Sequence, residues 1–547
     1  MCSGHNKKTI AMQLLKLCML LAATAAAAAS PPHAYPHHSN KVAALLAGAP
    51  RQMLNKAAHS AHSPAAHADA RPQRFYAAAA ATAAAAAAAP SPLTVKPASM
   101  GGDPTGVNDS TAALQAAVDA CVAQSVVSPN GVFPGSVGFP WGFGNGKDIR
   151  DMGGCVVDLE GGEYRISATI RIPQYTANMQ MRTGSIVAGP DWSAAAGNSS
   201  FLVQVGLSPE ESTECRHIPQ ASCNIDINFS EIFFDGGNVA DALQVNNVMG
   251  VTVGPGGYFL NFTHYGVQIN NGHECMIDRC WLGETNFDFD HQSAGVRPNA
   301  TAIEINGNDH YVLNTIVFSA KVGLAVHGAA DYITGTHVWF PLNQALAFAD
   351  SAAFWVTKGG NRFAGCYADG GRVVFDGLGL AKNMWTNGFE CCAGKGRTEA
   401  HGVILRNASL NHNRIGPGLQ IFANEFGGGS VYYEDKQGTD ITANLTVTGV
   451  RIHNNAFPNH ATGTRVTRTQ KQSAATAWHF DFCTELLFPQ IASVRYDLVA
   501  SAAQANKFVQ AMASEPNGCQ VTIHTSEAFS GEITVSVDSS EYDDLYI

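Results

Sequence analysis

The sequence predicts an all-β chain wound into a right-handed parallel β-helix with an N-terminal capping helix, and three observations carry that prediction. An apolar-x-apolar triad recurs along the middle of the chain, a helix-forming segment precedes it, and no apolar run after the N-terminal leader is long enough to span a bilayer. The triads are Leu243-Gln244-Val245, Val267-Gln268-Ile269, Ile303-Glu304-Ile305, Leu324-Ala325-Val326, Phe354-Trp355-Val356, Val373-Val374-Phe375 and Val403-Ile404-Leu405. They return at intervals of roughly 19 to 36 residues, one supersecondary unit per period with insertions between units. Each is followed by Asn, Gly or Asp and a second short strand, as in Glu274-Cys275-Met276-Ile277 and His310-Tyr311-Val312-Leu313. Strands this short cannot bury a face alone. They must stack on their neighbours, which lines up side chains in columns about 4.8 Å apart and can form a groove for a polymer.

In chain order, residues 1–30 read as a secretory signal peptide: Lys7 and Lys8, an apolar stretch through Leu14 to Leu21, then small residues suited to cleavage. Residues 31–93 are rich in Ala, His and Pro and have no periodic apolar face, so they read as a disordered linker. Its histidines lack ligand spacing, and neither a metal nor a cofactor is expected. Residues 94–460 are assigned to the β-helix as a catalytic domain. Residues 461–547 show no repeat, but Val521-Thr522-Ile523 and Ile533-Thr534-Val535-Ser536-Val537 look like strands, so this part is assigned as a C-terminal cap or small β appendage.

The formal net charge is -11 with no basic block, which argues against a nucleic-acid partner. A monomer without a membrane anchor is expected. Sequons at Asn108, Asn198, Asn228, Asn261, Asn299, Asn407 and Asn444 suit a secreted glycoprotein. Cys215 and Cys223, or Cys391 and Cys392 with a partner elsewhere, are candidates for disulfides. Cys275, Cys280 and Cys366 fall inside the strand pattern as small core residues.

Ahead of the first triad, Gly102-Asp103-Pro104-Thr105-Gly106-Val107-Asn108-Asp109-Ser110-Thr111 leads into a helix whose Leu114, Ala117, Val118 and Cys121 share one face, with Asp109 or Ser110 as its cap. Laid across the open first coil, it would cover an otherwise adhesive sheet edge. This segment resembles the opening of the pectate-lyase-like β-helix proteins, where Gly-Asp-Gly-x-x-Asp-Asp-Thr-x-Ala-Ile-Gln precedes the first coil; here Pro104 replaces the second Gly, and Asn108-Asp109 stand for the paired aspartates. Such a motif implies the fold and leaves the reaction open.

Within the repeats, Gly272-His273-Glu274, Asn308-Asp309, Val317-Phe318-Ser319-Ala320-Lys321-Val322-Gly323 and Ile333-Thr334-Gly335-Thr336-His337 resemble the quartet-type polygalacturonases of plants, which act on pectin during pollen-tetrad separation. The likeness covers residues 95–460 and implies a secreted wall-polysaccharide enzyme. Ordinary polygalacturonases carry Asn-x-Asp, Asp-Asp, Gly-His-Gly and Arg-x-Lys on successive coils. Here Asn286-Phe287-Asp288 fits the first, Asp309 follows about one coil later, Asp-Asp occurs only at Asp543-Asp544, Gly-His-Gly is absent, and Arg451-Ile452-His453 ends in His.

Aligning coils on their triads puts Glu274, His310, Asp331 and Asn361 in one column and His273, Asp309, Ala330 and Gly360 in the next. Glycosidic hydrolysis needs one protonated acid and one ionised carboxylate, a division that close carboxyls can supply. Glu274 and Asp309 are therefore assigned as the acid and base pair, with Asp331 or Asp288 assisting. His273, His310, Lys321 and Arg362 are assigned to binding of a polyuronide. Asp278, Asn314 and Asn387 align as a structural ladder inside a second turn. Two other functions fit the same pattern: a polysaccharide lyase using Ca²⁺, for which no compact Ca²⁺ loop is evident, and a non-catalytic wall-binding β-helix.

Overall fold

In a computed structural model of the chain, the described residues are 92–127, 149–192, 200–207, 223–283, 297–339, 351–379, 382–391, 402–406, 419–426, 431–434, 450–455, 463–504 and 508–539. Among them, 32 strands join into one sheet that coils on itself, and every pairing but one is parallel. The coils wind right-handed, as parallel crossovers nearly always do. Each coil has three faces, here named sheets A, B and C. One coil is Tyr265–His273 on A, Met276–Asp278 on B and Trp281–Gly283 on C; the next is Arg297–Asn308, Tyr311–Leu313 and Ile316–Phe318.

The triads stack as their pattern requires. Val203, Leu243, Val267, Ile303, Leu324, Phe354, Val373, Val403 and Val431 follow one another in register up sheet A, and all are buried in one continuous core. Their alternation sends the middle residue of each triad outward. The short B and C strands contribute one inward residue each, such as Ile277 and Leu282, then Val312 and Val317.

The capping segment folds as expected. Helix α1, Thr111–Ala123, buries Leu114, Ala117, Val118 and Cys121. The Asp109 carboxylate accepts the Thr111 backbone N–H at 2.9 Å and the Thr111 hydroxyl at 2.6 Å. Asp103 organises the preceding turn by accepting from the Thr105 hydroxyl and backbone and from the Asn108 backbone and amide. Those donors hold its carboxyl below the usual range, the Thr105 side chain most of all. Cys121 is bonded to Cys155, fastening α1 to the strand Arg150–Asp158. Cys223 is also disulfide-bonded, while Cys275, Cys280 and Cys366 are free and buried. Cys215 and Cys392 lie outside the described residues.

Past the last coil, Arg465–Asp481, Ser493–Ala500, Ala511–Ala513 and Gln520–Asp538 form an antiparallel sheet. It has its own core around Trp478, Phe480, Ile523, Ile533 and Val535. Leu487 and Phe488, however, pack into the β-helix core, and Leu487 N–H donates to Gly463 O at 2.9 Å. No described helix is long and apolar enough to cross a membrane.

Candidate active site

The turn between sheets A and B holds most of the residues singled out by sequence, in two layers. Strand pairing sets Met276 beside Tyr311, Tyr332, Arg362 and Met384. Counting back one residue gives the column Cys275, His310, Asp331, Asn361 and Asn383; counting back two gives Glu274, Asp309, Ala330, Gly360 and Lys382. Glu274 therefore stands over Asp309, one place away from the column expected for it. The cause is an irregularity between Asn270 and His273, where the pairing with the next coil shifts by one residue.

The second column is the outer layer. Its members share left-handed backbone: φ is 58° at Glu274, 59° at Asp309, 64° at Ala330, 85° at Gly360 and 62° at Lys382. Such a residue reverses the chain and points its side chain away from the core. The Glu274 side chain is 59% exposed and meets His273 Nδ1 at 3.3 Å. The Asn308 amide donates to Asp309 Oδ2.

The first column is the inner layer and is buried. His310 Nδ1 accepts the Cys275 N–H at 3.2 Å, Asp331 Oδ1 the His310 N–H at 2.9 Å, Asn361 Oδ1 the Asp331 N–H at 2.8 Å, and Asn383 Oδ1 the Asn361 N–H at 2.9 Å. Each side chain thus satisfies the backbone of the preceding coil. Burial, followed by the nearby His273, lowers the His310 pKa to about 4, so its ring is neutral. Burial, with the Asp309 charge adding to it, raises the Asp331 carboxyl to about 7. Both residues are at or below 1% exposure, so they support the turn from inside and do not line the surface.

The remaining assigned residues are spread out. Lys321 lies near the start of its A strand, Ala320–Val326, at the far edge of sheet A from the turn. Arg362 is exposed on sheet B. Asp288 lies outside the described residues. In the second turn, Asn314 and Asn387 share a left-handed outer column with Arg279, whereas Asp278 pairs with Leu313 on the strand. The ladder there is built one residue later: Thr315 accepts from Cys280 N–H at 3.5 Å, and further along Asn424 accepts from Gly388 N–H at 2.8 Å.

Sequence reasoning passed over the outer face of sheet A, which the turn borders. The middle residues of successive strands align as Arg171, Gln204, Gln244, Gln268, Glu304, Ala325 and Trp355. Two places further on stand Asn246, Asn270 and Asn306, then His327, whose Nδ1 is 2.8 Å from the Thr357 hydroxyl. Burial and Lys358 lower the His327 pKa, with Glu304 opposing. The Arg406 guanidinium lies 5.5 Å from the Trp355 ring centre. Of the other tryptophans on the coils, Trp385 is fully buried and Trp281 is 43% exposed. The signal for the outer face was available, since Gln244, Gln268 and Glu304 are the middle residues of the first three triads.

No family model matches the chain. Over 467 residues it is 26% identical to polygalacturonase QRT3 of Arabidopsis thaliana, a match covering 82% of this chain and 85% of that protein. Among solved structures it is similar to ORF18 of Geobacillus virus E2, with a TM-score of 0.43 and 12% identity over 80% of this chain and 78% of that one. It is also similar to the tailspike gp49 of Pseudomonas phage LKA1, with a TM-score of 0.38 and 10% identity over 82% of this chain and 100% of that one. With its coils, cap and sequence match taken together, the chain is a parallel β-helix protein homologous to polygalacturonase QRT3.

Proposed function

We propose that the protein is a secreted glycoside hydrolase that cleaves α-1,4-galacturonan, the backbone of pectin-like cell-wall polysaccharide. The homology to a polygalacturonase across most of both chains carries this reading. Residues 1–30 then serve as the leader and 31–93 as a linker ahead of the catalytic β-helix. Asp309 and Glu274 act as the acid and base pair. Adjacent parallel coils set their backbones about 5 Å apart, and both stand on the rim of an outer face rich in hydrogen-bonding groups. His273 sits against Glu274 and can steer its carboxylate, while Lys321, Arg362 and the Asp288 insertion supply further contacts to the uronate polymer.

The test is incubation of purified protein with polygalacturonate, with and without chelator, following reducing ends and the ultraviolet absorbance of unsaturated products. New reducing ends without absorbance, unaffected by chelator, are expected. Absorbance lost on chelation would assign elimination instead. Asp309→Asn is expected to lower turnover by about 10² or more. Full activity in both Asp309→Asn and Glu274→Gln would remove the pair from the mechanism.

A further inference from the structure

A third carboxylate, on the outer face of sheet A, is held more deliberately than either member of that pair. Glu304 Oε1 accepts from Gln268 Nε2 at 3.1 Å and from Asn306 Nδ2 at 2.9 Å. Behind Gln268 the bonds continue. Gln244 Nε2 donates to Gln268 Oε1 at 2.8 Å, Gln204 Nε2 to Gln244 Oε1 at 3.0 Å, and Arg171 Nη1 to Gln204 Oε1 at 2.6 Å. A lone glutamine amide can face either way. Here the ends decide, because a guanidinium only donates and a carboxylate only accepts. Three amides between them must all point in one direction, giving a polarised chain with a cation at its head and an anion at its tail. Asn246 and Asn270 brace it from the side, donating to Gln244 Oε1 and Gln268 Oε1 at 3.1 Å each.

Burial shows what the chain serves. Gln204, Gln244 and Gln268 are 0%, 7% and 9% exposed, so they do not meet a ligand, whereas Glu304 and Asn306 are partly open. The stacking of coils does not require amides at this position, since further up the same column Val374 and Ile404 are apolar and buried. Beyond Glu304 the column drops to the small Ala325 and rises again at Trp355. Glu304 thus stands at the edge of a step in the outer face, near His327.

We propose that Glu304 is a catalytic carboxylate of the galacturonan site, a fixed negative charge facing the sugar ring whose bond breaks, and that Gln268 and Asn306 are its positioning residues. This rests on the hydrolase reading above. In that reaction the bond from the anomeric carbon to the glycosidic oxygen breaks and the leaving oxygen takes a proton from the acid. A water oxygen joins the anomeric carbon and gives its proton to the base. Glu304 neither gains nor loses a proton; it stabilises the positive charge that builds on the ring, with no reorganisation because its orientation is already set.

The experiment measures initial rates and calorimetric binding of a defined oligogalacturonate with the full chain. Glu304→Gln keeps the shape and still offers an oxygen to Gln268, so the melting temperature should shift by no more than about 2 °C and Kd should stay within a few-fold of wild type while kcat falls about 10²-fold or more. Gln268→Met should lower kcat about ten-fold per folded molecule with Kd unchanged, a split that a merely structural ladder would not give. A hydrolysing wild type matched by Glu304→Gln overturns the assignment of Glu304 alone. A wild type that releases no reducing ends from any galacturonan removes the hydrolase reading, and this inference with it.

Discussion

Two polar ladders climb successive stretches of the same solenoid and do different work. The one inside the A–B turn, from His310 through Asp331 and Asn361 to Asn383, spends its hydrogen bonds on backbone N–H groups of the neighbouring coil. The one on the outer face, from Arg171 to Glu304, links side chain to side chain. Both arise because a repeat places one residue per coil at the spacing of a hydrogen bond. A ladder that bonds backbone fixes the chain's path; a ladder that bonds itself transmits an orientation to its last member. Only the second reaches the surface with a charge.

Breaking the inner ladder should be the costlier change. Asn361→Leu strands the Asp331 N–H and removes the amide that reaches the Gly328 carbonyl at 3.1 Å, while the Lys358 carbonyl keeps the Asn383 amide at 2.9 Å. A loss of about 3–5 kcal/mol in denaturant unfolding is expected. A loss below about 1 kcal/mol would show that the turn holds without it. Next comes Gly307→Ala, since a Cβ there would lie 2.5 Å from His310 Nε2 and 2.6 Å from Gly272 O, at a φ of 142°. It should cost about 1–3 kcal/mol.

Asp331→Asn sharpens the comparison through pH. The folded carboxyl holds its proton up to about 7, against 3.8 when unfolded, so between those values the native state binds more protons. Stability therefore falls as pH rises through that window and is level above it. Asparagine does not titrate, and Asn361 shows that an amide at this layer finds carbonyl acceptors. The variant should match wild type near pH 4 and exceed it at pH 8 by up to about 4 kcal/mol, read from melting curves at both values. An equal difference at the two pH values would refute the assignment. Glu274→Gln, on the exposed rim, should leave stability within about 0.5 kcal/mol and act on turnover alone.

The sequence was most legible where strands repeat. Ile303, Leu324 and Phe354 stack as the triads demand, and the face of α1 is the one its spacing gives. Turns were less legible, because an added residue between Asn270 and His273 leaves the triad register intact and displaces everything up to the next strand. That one residue separates Glu274 from His310 and places it over Asp309. The inward fate of Asp331 was equally hidden: Asp suits an exposed turn and a buried ladder alike, and only three-dimensional packing separates the two. Glu304 stands at the centre of the Ile303-Glu304-Ile305 triad. Its significance depends on bonds to residues as distant as Arg171, which no local pattern reveals.

The closed ends of the coil have a kinetic meaning. A stack whose units touch only their neighbours peels from its termini inward. At one terminus the Cys121–Cys155 bond rivets α1 across the opening; at the other, Leu487 and Phe488 plug the core. Unwinding must then begin by rupturing a middle coil on both sides at once, or by pulling out the plug. Survival time of the folded chain is in that case governed by a barrier, and it would shorten most on reduction of one sulfur bridge.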